Sequence, residues 1–249
     1  MQNVRKFLIM IAIAFFIAVI VSCVLFFSVN KVSAEFSVYG NDQTQEIKSE
    51  LDKFKGKSYL FVKESDLYSV LQDYPYYAFS SIKKEFPNVI SVKIYKRVET
   101  FRVVVGDKMF TIDEDGIVLN ETGATETSNV ITVNLSGISV NSSNAGEKIA
   151  TTNDNLFYSV VQTVKEVKLK DIVKDITVLS GVEKHDVEFS TFTGVKITVV
   201  DADENGEEKV QKAFELYESL NDYEKTSSEI QAYSLTSGAI RVVWVNPEN

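Results

Sequence analysis

The hydrophobic pattern begins with one long apolar run, Phe7–Val29, which carries no charged side chain. As a helix, these 23 residues would extend roughly 35 Å, enough to cross a hydrocarbon core of about 30 Å. Arg5 and Lys6 lie directly before the run, so the positive-inside rule places Met1–Lys6 in the cytoplasm and the rest outside it. The pattern therefore predicts a single-pass membrane protein with a cytoplasmic tail at 1–6 and a transmembrane helix at 7–29.

Two other interpretations of this run remain open. Val32-Ser33-Ala34 has the small residues of a signal-peptide cleavage site, although the run exceeds the roughly 7–15 apolar residues of a signal peptide. Cys23 would carry a lipid if the segment were a lipoprotein signal, although the residues after it, Val24–Phe27, are apolar. Both interpretations also place the remaining chain outside the cytoplasmic membrane.

After the run, helical and strand periodicities follow one another in a short module. Apolar spacing and turn residues predict two helices, one over Gln43–Lys55 and one from Ser65 or Asp66 to Tyr74-Pro75. Period-two alternation predicts strands at Phe36–Tyr39, Tyr76–Glu85 and Val89–Arg97. The module is predicted to be a small α+β layer, with two helices on one face of a three-stranded sheet.

Strand-type alternation dominates the rest of the chain. It is interrupted by two amphipathic patterns that predict helices at Asn155–Lys168 and Glu207–Leu220. Gly106-Asp107 predicts a two-residue hairpin turn. The predicted strands are Phe101–Val105, Lys108–Ile112, Ile117–Leu119, Val130–Leu135, Asp175–Leu179, Val187–Ser190, Val195–Val200, Glu229–Thr236 and Ala239–Val245. We expect an α+β fold whose second part is a curved, mostly antiparallel sheet with two helices on one face.

Charge divides the chain at the same place as the periodicities. The whole chain has a net charge of −9. Residues 35–100 hold 10 acidic and 10 basic side chains, whereas residues 101–249 hold 25 acidic and 13 basic side chains. This asymmetry predicts one domain at 35–99 and another at 100–246, followed by a short tail at 247–249. The acidic charge of the outer domain disfavours nucleic-acid binding, which needs clustered Lys and Arg side chains, and favours binding to a protein partner.

Few residues suit catalysis or metal binding. One cysteine and one histidine exclude an intrachain disulfide and a four-ligand Cys/His zinc site. His185 lies in a charged stretch and is predicted to be a solvated loop residue. Asp113–Gly116 lacks the glutamate of a calcium loop, so it predicts a turn in which Gly116 has positive φ. We therefore predict no enzymatic activity, no catalytic residue, no metal and no cofactor.

Three segments, taken with the predicted membrane topology, point to one family. The first module ends in FPNVISVKIYKRVE (Phe86–Glu99), FTIDEDGIV (Phe110–Val118) follows, and a helix with two strands covers Asn205–Trp244. In this order they resemble the FtsQ/DivIB cell-division proteins, although DADENG (Asp201–Gly206) replaces a Gly-rich family signature. The resemblance implies a POTRA domain over residues 35–99 and a β domain over residues 100–246.

The same resemblance implies a function and a binding region. It implies a non-enzymatic divisome scaffold at the septum that binds FtsL and FtsB/DivIC and, indirectly, the septal peptidoglycan synthase. The family's last strands correspond to Gln231–Val245, where a partner could add a strand to a sheet edge. The candidate partner-binding residues are Tyr233, Leu235, Ser237, Gly238, Ala239, Ile240, Arg241, Val242, Val243 and Trp244. A POTRA-containing component of an envelope secretion or sporulation complex is the alternative.

Trp244 is the chain's only tryptophan and lies in the last predicted strand. Alternation puts Ile240, Val242 and Trp244 on one face of that strand and Arg241 and Val243 on the other. One of these sets should pack on the core, and the other should meet a partner or solvent. Trp244 would then anchor either the core or the interface, and terminal-strand aromatic residues favour the interface.

Overall fold

The apolar N-terminal run forms a single helix, α1 (Gln2–Phe26), in the computed structural model, which describes residues 2–37, 42–121, 130–166, 169–180, 184–226 and 228–245. Its stretch Ile9–Phe26 is long and apolar enough to cross a membrane, and none of it is buried against the protein. The predicted end at Val29 is wrong. Val29 is 2 % exposed and belongs to the core of the following module, to which its N–H is bonded at the Lys57 carbonyl (2.8 Å).

The first of two units, Met1–Arg97, contains α1 and a small α+β module. The module's three-stranded sheet has the order β1-β3-β2, with β1 parallel and β2 antiparallel to the central β3. Its elements are β1 (Lys31–Phe36), α2 (Asp42–Asp52), α3 (Glu64–Tyr68) with a 3₁₀ turn at Ser69–Leu71, β2 (Tyr77–Glu85) and β3 (Val89–Lys96). Its core joins side chains of both helices to all three strands.

Most predicted elements of this module are present, with shifted ends. The first strand lies five residues earlier than the predicted Phe36–Tyr39, because parallel pairing opposes Lys31 to Val89 and Phe36 to Ile94. Val38 and Tyr39 lie outside the described residues. The first helix ends at Asp52 rather than Lys55, and the chain then turns toward Gly56, whose φ is +82°.

The second unit, Val98–Asn249, has a nine-stranded sheet with the order β14-β13-β12-β11-β10-β7-β4-β5-β6. A separate two-stranded pair consists of β8 and β9. The strands are β4 (Phe101–Val105), β5 (Lys108–Ile112), β6 (Val118–Asn120), β7 (Ile131–Leu135), β8 (Val140–Ser142), β9 (Ala150–Thr151), β10 (Val173–Ser180), β11 (His185–Thr191), β12 (Lys196–Val199), β13 (Glu229–Ser234) and β14 (Ile240–Val245). The helices are α4 (Asp154–Glu166) and α5 (Gly206–Ser219).

The large sheet is mixed, and five of its eight strand pairs are antiparallel, in agreement with the predicted mostly antiparallel sheet. The pairs β4–β7, β7–β10 and β12–β13 are parallel, and the others are antiparallel. Parallel neighbours require a crossover connection, and α4 lies on the chain between β7 and β10, as α5 does between β12 and β13. The sequence order of the strands therefore does not show their neighbours.

One face of this sheet carries the core. Alternate strand residues are buried together with the inner sides of α4 and α5, as the amphipathic patterns predict. The residues predicted to be buried are Val210, Ala213, Phe214 and Tyr217 in α5 and Leu220 directly after it, and all five are buried. The largest fully buried side chains of this core include Phe101, Phe110, Phe157, Phe189 and Phe214.

Candidate partner-binding edge

The last two strands, β13 and β14, form an antiparallel hairpin with an exposed turn, Leu235–Ala239. The Leu235 N–H donates to the Ala239 carbonyl and the Gly238 N–H donates to the Leu235 carbonyl, both at 2.8 Å. Gly238 has φ +82°, a left-handed conformation that glycine adopts without a Cβ clash. This turn fixes the register from Ser234 opposite Ile240 to Glu229 opposite Val245.

The structure brings the ten candidate residues together in this one hairpin. Tyr233 lies near the end of β13, the residues from Leu235 to Ala239 form the turn, and Ile240–Trp244 lie in β14. The predicted strands Glu229–Thr236 and Ala239–Val245 are therefore slightly too long. Leu235, Thr236 and Ala239 serve the turn because the bulge at Gly238 interrupts the strand ladder.

The backbone groups of β14 alternate between its neighbour and the outer edge of the sheet. Antiparallel pairs alternate between hydrogen-bonded and non-hydrogen-bonded. Because Leu235 is bonded to Ala239, the next pair, Ser234–Ile240, is non-hydrogen-bonded and the alternation continues along β14. The N–H and C=O groups that point away from β13 therefore belong to Ile240, Val242 and Trp244.

The two faces of β14 differ in burial. Val242 is half-buried and packs against the core, on the same face as its buried partner Ala232. Trp244 lies opposite the buried Ile230 on this face, but 36 % of its surface remains exposed at the margin of the sheet. Arg241 and Val243 lie on the other face, where Arg241 is exposed and Val243 half-buried. The core therefore covers only part of the face of β14 on which Trp244 lies.

The opposite edge of the nine-stranded sheet is covered. Strand β6 has three residues, and its Val118 N–H donates to the Glu147 carbonyl at 2.9 Å. Its Val118 carbonyl accepts from the Gly146 N–H at 2.8 Å, and Ile117 forms a bridge with Lys148. A loop segment thus occupies the backbone groups at that edge. Among the described residues, no strand pairs with the outer side of β14, so of the two edges of this sheet it is the one that offers room for an added strand.

Sequence patterns missed Lys209, which lies on the buried side of α5 and has no exposed surface. Its Nζ donates to the carbonyls of Val200 and Asp201, each at 2.8 Å. Burial lowers the pKa of this ammonium group. The spacing of Lys209, Ala213 and Tyr217 at i, i+4 and i+8 is the signal that places it inward. The lysine ties α5 to the DADENG loop, where Asp201 has φ +50°.

Ser234 is a second residue that the sequence did not single out. It is the last residue of β13, opposite Ile240. Its hydroxyl oxygen is buried and has no hydrogen-bond partner among the described residues. No pattern in the sequence distinguishes this serine from the exposed ones of the same hairpin.

His185 is not the solvated loop residue that the sequence predicts. It begins β11, and its side chain is 21 % exposed, with Nδ1 3.1 Å from an Asp203 carboxylate oxygen. Asp203 also accepts from the His185 backbone N–H (2.6 Å) and from Asn153 Nδ2 (2.9 Å). Burial raises the pKa of Asp203, but these hydrogen bonds outweigh it and lower the pKa overall. The arrangement fastens the start of β11 to the loop before α5.

The acidic segment Asp113–Gly116 is a backbone turn, as predicted. Asp113 is 3 % exposed, and its Oδ1 accepts from the backbone N–H groups of Asp115 (3.0 Å) and Ile117 (2.8 Å). Gly116 has φ +80°. Within the described ranges, no group of three or more His, Cys, Asp or Glu side chains is placed to hold a metal ion.

Comparison with known proteins gives the chain no family. A scan against protein-family models finds no match, and a search of curated proteins finds none either. The functional argument therefore stands on the chain's own residues: the apolar helix, the two units behind it and the open edge at β14.

Proposed function

We propose that this chain is a non-enzymatic, single-pass divisome scaffold of the FtsQ/DivIB type that binds other division proteins outside the cell membrane. The observation that carries the proposal is the open edge of β14, which turns its N–H and C=O groups away from the sheet. Helix α1 and the element order behind it, an α+β module followed by a mixed sheet, support it. The N-terminus would be cytoplasmic and both units extracytoplasmic, at the septum.

Strand addition explains how such an edge binds a polypeptide. Ile240, Val242 and Trp244 each offer one N–H and one C=O to an added strand. A hydrogen bond contributes about 0.5–1.5 kcal/mol net, so six of them contribute roughly 3–9 kcal/mol of binding free energy. The entropy lost when the partner segment becomes ordered reduces this value. The exposed part of Trp244 adds apolar contact at the same place. Partners of the FtsL and FtsB/DivIC type would thereby be held near the septal peptidoglycan synthase.

Under this proposal the first unit is the POTRA domain and contributes to recruitment. Its support is the order β1, α2, α3, β2, β3, which places two helices before an antiparallel pair. The position of this unit directly after α1 keeps it close to the bilayer, where other single-pass division proteins are anchored.

The location of the protein in growing cells tests the proposed function. We expect a fluorescent protein fused to the N-terminus of the full chain to concentrate at mid-cell in dividing cells. A membrane dye in the same cells corrects for the doubled membrane of a septum. A signal that follows the dye evenly around the envelope, or that gathers at a forespore, would contradict the divisome assignment and favour the secretion or sporulation complex.

A further inference from the structure

Three large apolar side chains lie exposed on the first unit beside the end of α1. Leu60 is 60 % exposed, Phe61 80 % and Phe86 71 %. Apart from α1 and Tyr68, the other large apolar side chains described in this unit are buried or half-buried, so these three are exceptions. We call them the apolar tip. Contiguous exposed apolar surface of this kind marks a site of interaction with a membrane or a partner.

The backbone connects the apolar tip directly to α1. The Tyr59 N–H donates to the Phe27 carbonyl at 2.7 Å, and Ser28 forms a bridge with Ser58. The ring of Phe86 lies 5.9 Å from that of Phe27 and 6.2 Å from that of Phe26, centroid to centroid. The tip is therefore held at the last turn of the helix.

Helix geometry fixes the depth of this turn. The apolar stretch Ile9–Phe26 has 18 residues, which extend about 27 Å and so fill most of a hydrocarbon core of about 30 Å. If α1 spans the bilayer, Phe26 lies at the boundary between acyl chains and headgroups. The backbone bonds place Leu60 and Phe61 at the same level.

The loop that carries Leu60 and Phe61 is built to project them outward. The N–H groups of Phe61 and Val62 both donate to the Ser58 carbonyl, at 3.1 and 3.2 Å, which makes a tight turn. Lys84 donates its ammonium group to the carbonyls of Tyr59 and Val62 and thereby secures the loop from the side. Tyr59 and Val62 point into the core, so Leu60 and Phe61 alone are presented.

Two exposed lysines flank the loop of the apolar tip along the chain: Lys57 precedes it and Lys63 follows it. Lysines next to exposed aromatic side chains match the membrane interface, where cations meet phosphate headgroups and aromatic rings reach the acyl boundary. A water-soluble protein partner has no comparable reason to lie at this depth.

We propose that the apolar tip inserts into the leaflet that faces the two units, with Phe61 as the deepest residue, and so seats the first unit against the bilayer. Lys57 and Lys63 contact the headgroups. The inference rests on the membrane-spanning role of α1 in the proposed function. It assigns the first unit a lipid-binding surface in addition to any protein contacts.

Fluorescence quenching in vesicles tests this inference with the full chain. Trp244 is the only tryptophan, so a Trp244→Phe background allows one reporter at a time. The three reporters are Phe61→Trp in the tip, Phe16→Trp inside α1 and Tyr68→Trp as the matched exposed control. The vesicles contain phosphatidylcholine brominated on its acyl chains, with phosphatidylglycerol as the minor lipid, and are compared with unbrominated vesicles.

The control position lies well away from the apolar tip. Tyr68 is 54 % exposed, and its ring packs on Phe79 with centroids 5.5 Å apart. Phe79 is six residues along β2 from Glu85, next to Phe86, so it lies about 20 Å from the apolar tip. Tyr68→Trp therefore reports an exposed position of the same unit outside the proposed insertion site.

We expect Phe61→Trp to shift its emission to the blue and lose most of its intensity in brominated vesicles, as Phe16→Trp does, while Tyr68→Trp is unchanged. If Phe16→Trp is quenched and Phe61→Trp behaves like Tyr68→Trp, the tip does not insert and the inference fails alone. If Phe16→Trp is not quenched either, α1 does not span the bilayer, and the single-pass assignment fails together with the inference.

Discussion

Replacing Val242 with proline should abolish partner binding while the second unit stays folded. The Val242 N–H points away from β13, so its loss leaves the hairpin ladder intact, as proline at a sheet edge does. An added strand would lose one hydrogen bond and meet the proline ring. We expect a loss of about 2–4 kcal/mol of binding free energy, or roughly 30- to 1,000-fold in Kd. A binding assay of the full chain with an FtsL–FtsB/DivIC-type complex measures this.

Two matched variants separate the edge effect from unfolding. Val242→Thr keeps both the shape and the N–H group and should bind within a few-fold of the wild type. Val243→Pro removes an N–H that points toward Gln231, so it should lower the stability of the hairpin as well as binding. A charge at Val242 is less informative because this side chain packs against the core. Wild-type affinity of Val242→Pro would show that strand addition at β14 is not how partners bind.

Replacing Gly116 with alanine should destabilise the second unit by about 2–4 kcal/mol. Gly116 has φ +80°, where an L-residue is strained, and its Cβ would lie 2.6 Å from Cε1 of Tyr158. The Tyr158 ring cannot easily move, because its hydroxyl donates to the Ile149 carbonyl and its ring makes an edge-to-face contact with that of Phe157. Urea unfolding of the full chain, followed by the fluorescence of Trp244 in the same unit, reports the change.

A second glycine and a double variant make this prediction specific. Gly106 also has positive φ (+57°), but nothing lies within 4 Å of its Cβ position, so Gly106→Ala should cost only the backbone strain, about 1–2 kcal/mol. In a Tyr158→Leu background, Gly116→Ala should cost less than in the wild type, because the clash is gone. Equal costs for Gly116→Ala and Gly106→Ala would mean that Tyr158 does not constrain this turn.

Local patterns predicted the elements of the fold better than their arrangement. Strands β4 and β5 have the predicted bounds, because a Gly-Asp turn and clear alternation leave one register for a hairpin. The parallel neighbours of β7 depend on contacts between distant segments, which no local pattern contains. The end of α1 was misjudged for the same reason, since Val29 is apolar in either setting and only its bonds to residues 56 and 57 place it in the module.

The sequence predicted that the candidate residues share one hairpin, but not which way their backbone groups point. The resemblance to the FtsQ/DivIB proteins singled out the last hairpin, and all ten candidate residues lie in it. Which N–H groups point outward depends on the hydrogen bonding of Leu235 and Ala239 around Gly238, and a one-residue change there would reverse the assignment. The sequence also did not predict the burial of Lys209, because a lysine is rarely fully buried unless its ammonium group is paired, as it is here by hydrogen bonds to two carbonyls.

Residue-resolved hydrogen exchange of the full chain, with and without a saturating FtsL–FtsB/DivIC-type complex, tests the central claim most directly. The claim is that the outward backbone of β14 binds the partner. It predicts that the amides of Ile240, Val242 and Trp244 exchange much more slowly in the complex, whereas those of Arg241 and Val243, already bonded to β13, change little. Unchanged exchange at Ile240, Val242 and Trp244 in a complex shown to be formed would contradict the claim.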